Sequence, residues 1–168
     1  KWSPDGGWIS YVDNSWSLYV VDVASGHARK VSSEPLYGPL RARSLHHAWS
    51  PDSAWLAYTR NTTTLHRQVW LYDVGGDRSH PVTDGLSDAT EPVFDTSGEF
   101  LWMASSTDAG PVRNWFAMSG ADMESSNALY VAVLRRGVTS PFEPESDEEV
   151  GSEAGSDAEA DSTGEDVP

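Results

Sequence analysis

The chain has 168 residues and a formal net charge of −15, from 26 acidic and 11 basic side chains. Residues 1–136 hold 15 of the acids and all 11 bases, a net of −4, and the rest of the chain holds 11 acids and no base. No basic stripe is present to neutralise phosphates, no run of roughly 18 apolar residues exists to form a membrane-spanning helix, and zero cysteines exclude a disulfide scaffold, a thiolate metal site and a Cys nucleophile.

Nucleic acid and membrane are therefore not expected partners, and the lack of cysteine is compatible with a cytoplasmic protein. All eight Trp lie between Trp2 and Trp115, so the first part can bury a core. The acidic end has no aromatic after Phe142 and cannot offset its own ordering entropy. The chain starts at Lys1, without Met or a signal peptide and already inside a repeat, so a piece of a longer polypeptide is expected.

The first repeat opens with Trp2-Ser3-Pro4-Asp5-Gly6-Gly7-Trp8. Pro4 presets φ for the second place of a type I turn, Asp5 is tolerated at the third, and Gly6 suits the fourth. Short strands are predicted on either side. Leu18–Val23 follows as a nearly continuous apolar run, expected where a sheet is covered on both faces. A turn at Ala24-Ser25-Gly26 leads to a short closing strand over Ala28–Ser32.

The same order recurs 47 residues on, at Trp49-Ser50-Pro51-Asp52-Ser53-Ala54-Trp55, with Ser53 in the place of Gly6. It is followed by Val69–Val74, a Gly75-Gly76-Asp77 turn and a strand over Ser79–Thr83. A weaker third copy starts at Phe94, 45 residues further, keeps Gly98 and Phe100 and loses the proline. Its apolar run is Leu129–Leu134, delayed by an insertion from Ser106 to Asn127 that contains the aromatic stretch Val112–Ala117.

Four antiparallel strands per repeat at this period predict β-propeller blades. The expected fold class is all-β: a propeller fragment of about three four-stranded antiparallel blades over residues 1–142, with repeats starting near 2, 49 and 94. A disordered acidic tail is expected over 143–168. Three blades of a ring leave two blade faces unpaired, so the stretch 1–142 alone is expected to be oligomeric or molten.

The repeat resembles the Trp-Ser-Pro-Asp-Gly propeller repeat of the Tol-system periplasmic propeller protein, of prolyl-oligopeptidase-type peptidases and of tricorn protease. The motif encodes a turn and two strands rather than a chemistry. The C-terminal stretch 129–149 is more specific. There the strand Leu129-Tyr130-Val131-Ala132-Val133-Leu134 and Arg135-Arg136-Gly137-Val138-Thr139 pass into Ser140-Pro141-Phe142-Glu143-Pro144-Glu145-Ser146-Asp147-Glu148-Glu149, which looks like the end of the second propeller and its linker in the tricorn protease family, with Arg136 where Lys is expected in many relatives.

That resemblance implies a cytoplasmic, homo-oligomeric serine peptidase acting on oligopeptides. Its catalytic Ser and His lie in domains beyond the linker, so no catalytic residue carries over to this chain. The implied role is a channel or filter for peptide substrates, built from roughly the last three of seven blades. The alternative is a free-standing binding scaffold like the Tol-system propeller.

The residues themselves offer little chemistry. No Gly-x-Ser-x-Gly elbow occurs. His46 and His47 are neighbours on a predicted strand and point to opposite faces, so a shared metal is not expected. His47 is expected to pack near the start of its strand and His46 to be solvated. No cofactor is expected. Asn61-Thr62-Thr63 is formally a glycosylation acceptor, read as chance. Arg135 and Arg136 could grip a peptide carboxylate, although a solvated strand end is the plainer reading.

Overall fold

A tight turn heads each repeat and joins the first two strands of its blade. The Gly6 amide donates to the Ser3 carbonyl at 3.0 Å, Ser53 to Ser50 at 3.0 Å and Gly98 to Asp95 at 3.2 Å. The fourth residue of each turn is left-handed, with φ of 73° at Gly6, 61° at Ser53 and 72° at Gly98. A type I turn closed by one left-handed residue is a favoured three-residue hairpin, and it fixes the register of the strands it joins. The closing bonds run from the amides of Ser3, Ser50 and Asp95 to the carbonyls of Trp8, Trp55 and Phe100.

The computed structural model describes residues 1–35, 45–64, 66–107 and 126–143. All regular structure among them is strand. The first blade holds β1 (Trp8–Val12), β2 (Ser17–Asp22) and β3 (Ala28–Ser33). The second holds β4 (His47–Trp49), β5 (Trp55–Asn61), β6 (Arg67–Asp73) and β7 (Arg78–Pro81). The third holds β8 (Asp88–Phe94), β9 (Phe100–Ser106) and β10 (Ala128–Val133). Each blade is an antiparallel sheet in sequence order.

The second blade alone shows four strands among the described residues. In the first, Trp2 forms an isolated bridge to Ile9, marking the inner strand by one residue pair. In the third, β10 is the outer edge. The pairing between the two central strands is otherwise repeated: Val12 faces Leu18, Thr59 faces Val69 and Ala104 faces Leu129.

Alternation along β5 shows why the second blade is central. Leu56 and Tyr58 point to the first blade, and Ala57 points to the third. All three are buried. Leu18 and Val20 of β2 join Leu56, Tyr58, Tyr72 and Val74 in one cluster. Val69 and Ala57 join Ala89, Leu101 and Met103 in another. Burying each large aliphatic side chain contributes about 1.5–3 kcal/mol.

The run on β10 departs from the expectation of a strand covered on both faces, because Leu129 and Tyr130 are exposed. Strand β8 carries a bulge between Thr90 and Val93, with Glu91 at φ 52° just before Pro92. Pro92 has no amide to donate, and the bulge lets the ladder skip it.

The chain divides into two units, Lys1–Val138 and Thr139–Pro168. In the second unit the described residues form a turn in which the Glu143 amide donates to the Ser140 carbonyl at 3.0 Å. The expected acidic tail beyond Glu143 and the aromatic stretch Val112–Ala117 lie outside the described residues.

Candidate functional site

The three repeat turns form the most regular polar feature of the molecule. In the first, Ser3 Oγ donates to Asp5 Oδ1 at 2.5 Å and accepts from the Trp8 amide at 2.9 Å. Asp5 Oδ1 also accepts from the Gly7 amide at 2.9 Å. Ser50, Asp52, Ala54 and Trp55 repeat the pattern.

The third turn transposes the pair. Asp95 takes the place of the serine and accepts from the Phe100 amide at 3.0 Å. Ser97 takes the place of the aspartate, donates to Asp95 at 2.5 Å and accepts from the Glu99 amide at 3.1 Å. Serine at one position and aspartate two residues away satisfy the same donors in either order, because both offer an oxygen acceptor at short reach.

These bonds fix the chemistry. The Ser3 hydroxyl beside Asp5, the Ser50 hydroxyl beside Asp52 and the Ser97 hydroxyl beside Asp95 hold all three carboxyls below the usual range, against burial. Each serine donates to a carboxylate and accepts from a backbone amide, so it stands as a turn brace rather than a nucleophile aimed at a substrate. The repeat residues Trp2, Pro4, Gly6, Trp8, Trp49, Pro51, Trp55, Phe94, Gly98 and Phe100 sit at or beside the turns.

The turns also touch one another. The Asp5 amide donates to Ser53 Oγ at 3.1 Å, joining the first turn to the second. A Cβ on Gly98 would lie 3.6 Å from Pro51 Cδ, so the third turn sits against the second. Ser53 is strained by its positive φ but supplies this bond between turns, which Gly could not.

Between the first two blades, the Arg29 guanidinium lies 4.8 Å from the Trp8 ring centroid and 5.9 Å from that of Tyr72. Its Nη2 donates to the Val74 carbonyl at 2.9 Å. Trp49 Nε1 donates to Ser10 Oγ at 3.0 Å. Asn61 Nδ2 donates to Glu34 Oε2 at 2.9 Å, both residues being buried. Burial of Asn61 removes the sequon side chain from the surface, in keeping with its reading as chance.

Between the second and third blades, Arg67 forks onto Asp88, with Nε to Oδ1 at 2.8 Å and Nη2 to Oδ2 at 2.6 Å. Nη1 donates to Thr90 Oγ1 at 3.1 Å, and the Arg67 amide donates to Asp88 at 2.9 Å. Arg29, Glu34, Arg67 and Asp88 carry no local motif, and a place near a strand end does not reveal a partner on another blade.

Arg135 follows β10 and pairs with Glu99, Nη1 to Oε1 at 2.9 Å, in an exposed contact. Arg136 is exposed in the turn that ends at Gly137. His46 is exposed and His47 half-buried at the start of β4, its Nδ1 3.1 Å from the Leu45 carbonyl. Burial pulls the His47 imidazole below its ordinary pKa. The described residues hold no cluster of three or more His, Asp or Glu suited to a metal. A pocket of about 330 Å³ lies between Val12, Asp13, Asn14, Trp16 and Leu45. Asp13 Oδ1 already accepts from the Ser15 and Ser17 amides.

No protein-family model matches the sequence, and no curated protein matches it. Solved structures do share its fold. A tricorn protease structure matches 83% of this chain and 14% of its own, with a TM-score of 0.64 at 15% identity. TolB from Acinetobacter baumannii matches 82% of this chain and 29% of its own, with a TM-score of 0.53 at 18% identity. Hydrazine synthase from Kuenenia stuttgartiensis matches 82% and 39%, with a TM-score of 0.50 at 19% identity. The chain therefore spans well under half of each. At these identities the likeness establishes the architecture: three antiparallel sheets arranged as part of a β-propeller.

Proposed function

We propose that this chain is the non-catalytic propeller segment of a tricorn-like serine peptidase that degrades oligopeptides. It serves as a substrate channel, filter and scaffold for an active site elsewhere in a cytoplasmic homo-oligomer. The observation that carries the reading is the run Ser140–Glu149, placed shortly after the last strand of the third blade. The likeness in fold to tricorn protease supports it.

In this reading the chain contributes shape and charge, not bond making. Arg135 is held by Glu99 in an exposed pair, which is worth little in water, so a peptide carboxylate can exchange with Glu99 at small cost. Arg136 adds a second exposed cation beside it. In the peptidase, replacing both arginines by Ala should raise KM for acidic-ended peptides at low salt and leave kcat alone. Unchanged turnover would remove the arginines from the substrate path.

A second reading is a free-standing scaffold resembling the Tol-system propeller, holding protein partners at its rim. Leu86, 82% exposed on the connection between the second and third blades, favours it. Sequencing the gene on both sides separates the two. A peptidase region with a PDZ-like domain downstream supports the first, and a secretory signal upstream with no peptidase supports the second and overturns the first.

A further inference from the structure

The chain contains two Asp-Gly pairs, Asp5-Gly6 and Asp84-Gly85. Such a pair carries a chemistry of its own. Glycine has no side chain to shield its amide nitrogen, so that nitrogen can attack the carboxyl carbon of the preceding aspartate and close a five-membered ring. The reaction runs through the protonated carboxyl, because a neutral carboxyl loses water more readily than a carboxylate does. The fold treats the two pairs differently.

Both aspartates make the same local turn. Asp5 Oδ1 accepts from the Gly7 amide and Asp84 Oδ1 from the Leu86 amide, each at 2.9 Å. A carboxyl that reaches the amide two residues on is folded back over the amide of the intervening glycine. At the first pair that amide is already engaged, since Gly6 donates to the Ser3 carbonyl at 3.0 Å. Ser3 Oγ also donates to Asp5 at 2.5 Å and holds its carboxyl below the ordinary range, so the protonated form is scarce. At the second pair, among the described residues, the Gly85 amide donates to no acceptor. Asp84 is exposed, and no serine hydroxyl braces its carboxyl.

Residue 85 is also fixed as glycine. Its φ is 80°, and a Cβ there would lie 3.2 Å from Thr62 Cγ2. The connection between β7 and β8 therefore places a required glycine directly after an exposed aspartate.

We propose that Asp84-Gly85 is a site of spontaneous isoaspartate formation in the native protein, and that the fold protects Asp5-Gly6. The Gly85 nitrogen bonds to Asp84 Cγ, and the amide proton and the carboxyl hydroxyl leave as water. A second water then opens the succinimide. Attack at Cγ restores aspartate. Attack at the main-chain carbonyl carbon of residue 84 gives isoaspartate, whose main chain runs through Cβ and Cγ. The product adds one methylene to a connection pinned at both ends. Thr83 Oγ1 accepts from the Val69 amide at 3.1 Å, the Thr83 carbonyl accepts from Gln68 Nε2, and Asp88 receives the Arg67 fork. The modification therefore loosens the joint between the second and third blades. It is independent of whether the chain serves a peptidase.

Prolonged warm incubation of the full chain at neutral pH tests the proposal, read by peptide mapping with fragmentation that separates aspartate from isoaspartate. Isoaspartate should accumulate at residue 84 several times faster than at residue 5. In concentrated urea the two pairs should react at similar rates, because the contrast comes from the fold. An aged sample should also unfold at a lower urea concentration than a fresh one. Asp84→Glu, which cannot close the five-membered ring, should keep its midpoint through the same incubation. No isoaspartate at residue 84 in the native chain, or equal rates at both pairs, overturns the proposal. So does an equal loss of midpoint in Asp84→Glu. If that variant folds poorly, the comparison of residue 84 with residue 5 in the unchanged protein still decides.

Discussion

The two blade junctions solve one packing problem with different chemistry. The first is aromatic and cationic: Arg29 lies over Trp8 and Tyr72, and Trp49 reaches Ser10. The second is aliphatic with one ion pair: Leu101, Met103 and Val69 pack together, and Arg67 forks onto Asp88. The partners change together. Where the second blade sends Trp49 to Ser10, the third packs Phe94 on the apolar cluster that holds Ala57, the position matching Ser10, so the hydroxyl disappears with the indole that used it. A propeller joint therefore needs matched pairs across blades more than any particular residue, because an unmatched buried polar atom costs more than a bond gains.

The largest expected effect tests the ion pair against the cation over aromatic rings. Arg67→Ala removes the guanidinium from Asp88 and Thr90 in a mostly buried site and should destabilise by about 3 kcal/mol. Arg29→Ala should cost about 1–2 kcal/mol, from lost ring contact and one carbonyl bond. Urea unfolding at fixed protein concentration reads both, and equal costs would erase the distinction between the junctions.

Next comes the matched pair. Trp49→Phe should cost about 1–2 kcal/mol, partly because Ser10 Oγ loses its indole donor. Adding Ser10→Ala reproduces the Phe94–Ala57 solution and should recover part of the loss. A double-mutant cycle with no coupling would contradict the matching.

Acid should weaken the molecule in two stages. Burial holds His47 in the native state below its ordinary pKa of 6.5, so its contribution is present above that value. It is lost as pH falls through the depressed native value. Asp5, Asp52 and Asp95 are held below their ordinary 3.8 by the turn serines. Their contribution is present above 3.8 and is lost as pH falls through the lowered values. His47→Gln should remove the first stage from a melting-temperature profile and leave the second.

The smallest effect concerns the turns. Ser53→Gly relieves a left-handed serine but loses the bond from Asp5, so the two changes should nearly cancel, within about 0.5 kcal/mol. Ser53→Ala keeps the strain, loses the bond and should cost about 1 kcal/mol. A larger loss for Gly than for Ala would show that strain is not the issue.

Much of this was legible in the residues. Ser3-Pro4-Asp5-Gly6 names its own turn, because Pro, Asp and Gly act through local backbone geometry. The apolar runs at Leu18–Val23 and Val69–Val74 locate β2 and β6 by period and length. The transposed Asp95-Thr96-Ser97 was readable as a weaker copy, although its equivalent hydrogen bonds were not. Nothing local pointed to Glu34 with Asn61, or to Arg67 with Asp88, since each pair joins residues more than 20 positions apart.

The amino-acid sequence by itself determined the turns, the strand period and the repeat, because each depends on contacts within a few residues. It also located the change in charge at the end of the third repeat. Tertiary structure decided which faces are covered. Leu18 and Leu129 occupy equivalent positions on similar strands, and one is fully buried while the other is 64% exposed. Burial depends on the neighbouring sheet, which no stretch of local sequence encodes.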